Sequence, residues 1–140
     1  MSIATNSLNI NGNGLVAYDN TTGLLGVTAT PSPSITWIDE PISFSALAAN
    51  GYMITASSVV ATLPASPSLG DTISFIVNVT GVASLTIQAS AGQQIQIANS
   101  QSSVGGTATN NFIGDTITLV YSDFTGNWFS LNQNASWTLT

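Results

Sequence analysis

The chain has 140 residues, and 44% of them are hydrophobic, which is enough for one folded domain with a core. Only 4% of the residues are charged, and because all six charges are carboxylates and Lys, Arg and His are absent, the formal net charge is −6. Nucleic acids and anionic membrane surfaces are bound by cationic side chains, so this composition excludes a nucleic-acid partner and disfavours a membrane partner.

Residues 1–40 are predicted to be an extended N-terminal arm or collar that serves assembly and attachment. They are rich in Asn and Gly, and apolar residues alternate in short runs. The predicted strands of this segment are 15–18, 24–28 and 35–38. Pro31, Pro33 and Pro41 lie near its end, and prolines this close together favour an extended chain over the interior of a sheet. The first residues carry neither a charged leader nor an apolar stretch, so no signal peptide is expected.

Residues 41–140 are predicted to form one compact β-domain. Apolar residues recur with period two in runs rich in Val, Ile, Thr and aromatic residues, and Gly, Asn, Pro and Ser separate the runs. In the clearest run, Ile73, Phe75 and Val77 share one face of a strand. The predicted strands are 42–46, 52–55, 59–63, 72–78, 84–88, 94–98, 116–121, 128–131 and 137–139. No segment has a helical period, so the fold class is all-β.

Two segments repeat the same four residues, Gly-Asp-Thr-Ile, at 70–73 and 114–117. One interpretation makes Asp71 and Asp115 a symmetric metal or catalytic pair. The other interpretation, which we favour, makes each Gly-Asp a turn that starts a strand. The two strands would then hold equivalent positions in the two sheets of a sandwich.

The residue types that are missing exclude most catalytic machinery. Serine and cysteine nucleophiles are activated by His, and Schiff-base chemistry and phosphate-binding loops need Lys. Two carboxyl groups suffice for glycoside hydrolysis, but the acids here are isolated, apart from Asp39 and Glu40, which point to opposite faces of a strand. We therefore predict no enzyme, no catalytic residues, no cofactor and no metal site. A ring of Asp39 and Glu40 from several protomers is the alternative for a cation.

Aromatic residues crowd the last quarter of the chain, where 123–127 is typical of a hairpin turn. Exposed aromatic rings could stack on sugars while neighbouring amides bind hydroxyl groups. This candidate glycan platform consists of Tyr121, Phe124, Asn127, Trp128 and Trp137. The alternative, which we favour, is that the two tryptophans fill the core or a subunit interface.

Several segments within residues 51–130 carry a family resemblance: Gly51-Tyr-Met-Ile-Thr, Leu63-Pro-Ala-Ser-Pro, Leu85-Thr-Ile-Gln, Gly114-Asp-Thr-Ile and Asn127-Trp. They resemble β-rich domains of bacteriophage tail-fibre, head-fibre and related adhesin proteins. Upstream, Asn13-Gly-Leu-Val-Ala-Tyr-Asp is similar to short repeats that precede the folded head of such fibres. The resemblance implies a trimeric β-sandwich with a tip or decoration role, and it brings no catalytic residues. The chain departs from these proteins in having no basic residue.

Sheet edges also favour an oligomer. The chain has almost none of the charged residues that usually protect edges, and trimerisation would hide them. Neutral side chains can also be buried between subunits without desolvating charges. The sequence thus predicts a homotrimeric, antiparallel, jelly-roll-like β-sandwich with an N-terminal arm. It would serve as a phage fibre or capsid-decoration protein on the virion surface, joined to other virion proteins through the arm, with host-glycan binding as a further role. The alternative is a free carbohydrate-binding module or lectin.

Overall fold

The computed structural model of the protein describes residues 8–9, 15–19, 24–28, 35–79 and 85–140. The chain divides after Ser34 into two compact units, Met1–Ser34 and Ile35–Thr140. Every regular element in the described ranges is a strand, so the all-β prediction is confirmed. None of these residues belongs to a helix long and apolar enough to cross a membrane.

The N-terminal unit contains a three-stranded antiparallel sheet with the strand order of the chain. Its strands are β1 (Leu8–Asn9), β2 (Leu15–Asp19) and β3 (Leu24–Thr28). The strands predicted at 15–18 and 24–28 are present, whereas β1 was not predicted. Pro31 and Pro33, on which the prediction of an extended segment depends, lie outside the described residues.

In the C-terminal unit, residues 35–79 and 85–140 form twelve strands in two sheets. They are β4 (Thr36–Glu40), β5 (Phe44–Ser45), β6 (Asn50–Ile54), β7 (Val59–Thr62), β8 (Thr72–Val77), β9 (Leu85–Gln88), β10 (Gln94–Ile97), β11 (Ser100–Gln101), β12 (Thr107–Asn110), β13 (Thr116–Ser122), β14 (Asn127–Gln133) and β15 (Thr138–Leu139). The seven-stranded sheet has the order β11-β10-β14-β13-β8-β6-β4. The five-stranded sheet has the order β15-β12-β9-β7-β5.

Both large sheets are mixed, so the predicted antiparallel, jelly-roll-like arrangement is wrong in strand direction. From β4 to β9 the chain alternates between the sheets, one strand in each. Between two successive strands of one sheet, the chain therefore passes through a strand of the other sheet. Successive strands of one sheet then run in the same direction. The pairs β4 with β6, β6 with β8, β5 with β7, and β7 with β9 are parallel for this reason, and β10 is parallel to β14.

One apolar core lies between the two large sheets, as in a β-sandwich. The predicted inward face of β8, formed by Ile73, Phe75 and Val77, is fully buried. The five-stranded sheet contributes to the same core with side chains such as Leu85 and Ile87. Fully burying a large apolar side chain contributes roughly 1.5–3 kcal/mol, so this shared core is the main source of stability.

The two Gly-Asp-Thr-Ile segments lie side by side in one sheet and not in two. Strands β8 and β13 are antiparallel neighbours, with Ile117 opposite Phe75. Asp71 directly precedes β8 and Asp115 directly precedes β13. The two residues therefore lie at opposite ends of this antiparallel pair, about 20 Å apart at the rise of a β-strand. They are too far apart to share a metal ion, and each Gly-Asp forms a turn that starts a strand.

The first strand of the C-terminal unit comes from the segment that the sequence placed in the arm. Strand β4 pairs with β6 in parallel register, with Trp37 opposite Gly51 and Ile38 opposite Tyr52. Residues Thr36–Glu40 therefore form an edge of the seven-stranded sheet.

Candidate functional site

The five residues of the candidate glycan platform do not form one exposed surface. Asn127 and Trp128 are buried at the start of β14. Tyr121 is half-buried and packs against Trp128, with ring centroids 5.3 Å apart. Trp137 is half-buried against the core, whereas Phe124 is 94% exposed. Of the five, Phe124 alone presents a whole aromatic ring to a ligand.

Trp128 is a core residue whose polar atom is satisfied inside the protein. It lies opposite Tyr121 on one neighbouring strand and opposite Ile95 on the other. Its Nε1 donates a hydrogen bond of 2.9 Å to Oε1 of Gln93, and Nε2 of Gln93 donates to the Pro64 carbonyl at 2.9 Å. A buried indole normally finds such a partner. The sequence did not single out Gln93, because no local pattern shows which Gln will meet the indole.

Phe124 lies at the tip of the β13–β14 hairpin. The turn is closed by the amide of Gly126, which donates to the Ser122 carbonyl at 2.9 Å, and Gly126 has a φ of 71°. The loop before β8 ends beside this hairpin, because the amide of Gly70 donates to the Tyr121 carbonyl. Leu69, in that loop, is 69% exposed. This end of the sandwich thus exposes two apolar side chains on separate loops.

The described carboxylates are dispersed. No group of three or more His, Cys, Asp or Glu residues in the described ranges could hold a metal ion. Asp71 accepts a hydrogen bond from the Ser68 amide at 2.9 Å and so closes its own turn. Asp39 and Glu40 end β4, where Asp39 is exposed and Glu40 is half-buried. Asp123 is exposed in the hairpin turn.

The largest concentration of exposed apolar side chains lies on one lateral side of the sandwich. We call this the open side and define it as residues 35–47, which comprise β4, β5 and the chain around them. Both strands are edge strands, of different sheets. The open side holds five of the eleven exposed large hydrophobic residues of the described ranges: Ile35, Trp37, Ile38, Ile42 and Leu47. Exposed apolar side chains concentrated in one segment mark an interaction site more often than scattered apolar residues do.

The core is incompletely covered at the open side. Ile38 lies opposite Tyr52, which is buried, yet Ile38 is 36% exposed because β4 is the last of the described strands in its sheet. Phe44 of β5 packs on Tyr52 with ring centroids 4.5 Å apart and is itself only half-buried. The edges of both sheets therefore leave core-facing side chains open to solvent.

The Trp37 ring lies on the outer face of the seven-stranded sheet, over Gly51 of the neighbouring strand. A Cβ atom added to Gly51 would lie 2.5 Å from Cε3 of Trp37, so the indole ring rests directly on the Gly51 backbone. Gly51 is buried beneath the ring, whereas Trp37 remains 44% exposed. An aromatic ring that covers a glycine on the neighbouring strand is a known device for stabilising sheet edges. From the sequence, Trp37 carried no signal beyond burial.

Two other surfaces of the C-terminal unit are polar, in contrast to the open side. On the opposite lateral side the edge strands β11 and β15 expose polar residues such as Ser100, Gln101 and Thr138. The outer face of the five-stranded sheet is a ladder of hydroxyl and amide groups. Its paired residues are Thr62 with Gln88, Thr86 with Thr109, Gln88 with Thr107, and Thr109 with Thr138. The polarity of these surfaces makes the open side distinctive.

No protein-family model and no curated protein sequence matches this chain.

Proposed function

We propose that the chain is a structural protomer of a virus particle, a bacteriophage fibre or capsid-decoration protein that works by assembling with copies of itself. The observation that carries the proposal is the open side, where exposed apolar residues lie on and beside the edge strands of the two sheets that the described residues form. Edges that lack charged protection are suited to being covered by other chains. The assembly is a homotrimer, and the N-terminal arm joins it to other virion proteins at the particle surface.

The composition supports a structural role over an enzymatic one. A chain without His, Cys or Lys has carboxylates and hydroxyls as its remaining catalytic groups. The described carboxylates are spread over separate strands and turns, and Asp71 is engaged by its own turn. A neutral surface rich in Thr, Ser, Asn and Gln packs closely against neighbours, because its burial desolvates few charges.

The oligomeric state of the purified full-length protein tests the proposal. Sedimentation equilibrium should give three times the mass of the chain, and a monomer at concentrations of tens of micromolar would contradict self-assembly. Co-purification with phage-like particles from the same source would then test the virion role. A trimer that never associates with particles would support self-assembly and contradict the virion role.

A free carbohydrate-binding module or lectin is the second candidate, and the exposure of Phe124 favours it. The ring lies beside Thr125 in the hairpin turn, and a solvent-exposed aromatic ring on a loop can stack on a sugar face. A glycan array with the wild-type protein and with Phe124→Ala separates the candidates. A monomer that binds a glycan through Phe124 favours the lectin. A trimer whose glycan binding depends on Phe124 is a virion protein that also contacts its host.

A further inference from the structure

We propose that the N-terminal unit is the trimerisation element of the chain, and that one apolar face of its three-stranded sheet packs against the same face of two other copies. The inference rests on the proposed function and deepens it by naming the surface through which copies meet.

The strand register sorts the residues of this sheet into two faces of different character. Val16 lies opposite Leu8 on one side and Val27 on the other, and Tyr18 lies opposite Leu25. Residues that lie opposite each other, and residues two apart on one strand, share a face. The apolar face therefore consists of Leu8, Val16, Tyr18, Leu25 and Val27. The mixed face consists of Asn9, Leu15, Ala17, Asp19, Leu24, Gly26 and Thr28.

The N-terminal unit is too small to be stable alone. It ends at Ser34, and chains below roughly 40 residues usually need disulfides, metals or oligomerisation. The sequence has no Cys and no His, and Asp19 is the sole carboxylate side chain of residues 1–34, so neither a disulfide nor a cluster of metal-binding side chains can form within the unit. Its described strands form a single sheet, and a sheet with one apolar face needs a second layer. Of the three means, oligomerisation remains.

The distribution of charge favours another copy as the occupant of the apolar face. No residue of this face is charged, and Asp19, the only charged side chain of the unit, lies on the mixed face. Copies that meet through their apolar faces therefore bring no like charges together. Their contact also desolvates no charged group, so the gain from burying apolar surface is not offset by that cost.

The edges of the sheet favour three copies over two. Strands β1 and β3 are the edges of the sheet. Two sheets packed face to face leave all their edges open, and unprotected edges pair readily with other chains. Three sheets around an axis place β3 of each copy beside β1 of the next, so one repeated contact closes every edge. The apolar faces then enclose a common core on the three-fold axis.

Two consecutive leucines provide a matched pair of variants. Leu24 and Leu25 both lie in β3, but Leu25 belongs to the apolar face and Leu24 to the mixed face. Leu25→Gln and Leu24→Gln remove the same side chain from the same strand and leave the net charge unchanged. Sedimentation equilibrium of the full-length protein measures their association. We expect Leu25→Gln to weaken trimer formation by at least about tenfold, equivalent to about 1.4 kcal/mol, and Leu24→Gln to leave it unchanged.

The outcomes separate the surface from the function. If the wild-type protein is a trimer and Leu25→Gln associates as tightly as Leu24→Gln, the apolar face is not the contact, and the proposed function stands. The same conclusion follows if both variants weaken association equally, because the effect then does not depend on the face. If the wild-type protein is a monomer or a dimer, both proposals fail.

Hydrogen exchange on the wild-type protein decides the matter if Leu25→Gln does not fold. Amides of β2 and β3 should gain protection as the protein is concentrated from monomer to trimer, because a unit that is unstable alone is ordered by association. Protection of these amides that is the same in monomer and trimer overturns the proposal.

Discussion

Gly70 and Gly114 are related by a local two-fold arrangement of strands β8 and β13. Gly70 has a φ of 85° and donates its amide to the Tyr121 carbonyl at 3.0 Å, and Gly114 has a φ of 86° and donates to the Val77 carbonyl at 2.8 Å. Each glycine therefore ends the turn before its own strand and bonds to the far end of the other strand. The repeated Gly-Asp-Thr-Ile sequence is explained by this shared geometry and needs no shared ligand.

Replacing either glycine by Ala should lower stability by about 1–2 kcal/mol, because a left-handed backbone brings Cβ close to the carbonyl oxygen. A Cβ atom at either position would have no neighbour within 4 Å, so packing plays no part. Gly70→Asn and Gly114→Asn should cost less, since Asn tolerates positive φ. Urea unfolding of the four variants measures this. Equal losses for Ala and Asn would contradict the backbone explanation.

Trp128→Ala should cost about 3–5 kcal/mol of unfolding free energy, because it removes the largest buried side chain of the core. Trp128→Phe should cost about 1–3 kcal/mol, since it leaves Oε1 of Gln93 buried without its donor. Phe124→Ala is the surface control and should change stability by less than about 0.5 kcal/mol. Thermal melting distinguishes the three, and a neutral Trp128→Ala would show that the ring is not part of the core.

Gly51→Ala should displace the Trp37 ring, because the added methyl group overlaps it. We expect a cost of about 1–3 kcal/mol, typical of overpacking. In a Trp37→Ala background the same change should be nearly free, so a double-mutant cycle should give a coupling energy of at least about 0.5 kcal/mol. Additive single and double variants would show that the ring does not rest on the glycine.

Two truncations locate the start of the folded C-terminal unit. A fragment of residues 35–140 should retain the β-type circular dichroism and melting temperature of this unit. A fragment of residues 41–140 lacks β4 and uncovers Gly51 and Tyr52, so it should lose at least about 2 kcal/mol of stability. If the two fragments melt alike, β4 contributes nothing and the unit begins at Pro41.

Local pattern was enough to find most strands, because alternation of apolar residues depends only on which face is buried. Strand β12 was not predicted, because Ala108 is its sole apolar residue. The pairing of Ala108 with Ile87 of β9 places it in the core, and this pairing leaves no local pattern in the sequence. Strand direction was also missed. The three residues between β4 and β5 are as suitable for a hairpin within one sheet as for a connection between two sheets. Packing between the sheets decides that they connect β4 of one sheet to β5 of the other.

The candidate sites show the same division between local and long-range information. Phe124 and Trp128 are four residues apart in one aromatic segment, and composition treats them alike. Pairing with Ile95 buries Trp128, and the hairpin turn exposes Phe124. The open side was not predicted either, because the exposure of Trp37 and Ile38 depends on β4 being the last strand of its sheet. That position is set by contacts across the whole unit.

The place of β14 between β13 and β10 has a consequence for synthesis of the protein. Strand β10 emerges from the ribosome about thirty residues before β14, yet it can join the sheet only through β14. A nascent chain that stops short of β14 holds two separate pieces of sheet and lacks Trp128 at their junction. The seven-stranded sheet therefore cannot be completed before β14 has been translated, and a chain that ends before β14 lacks the strand that joins β10 to β13.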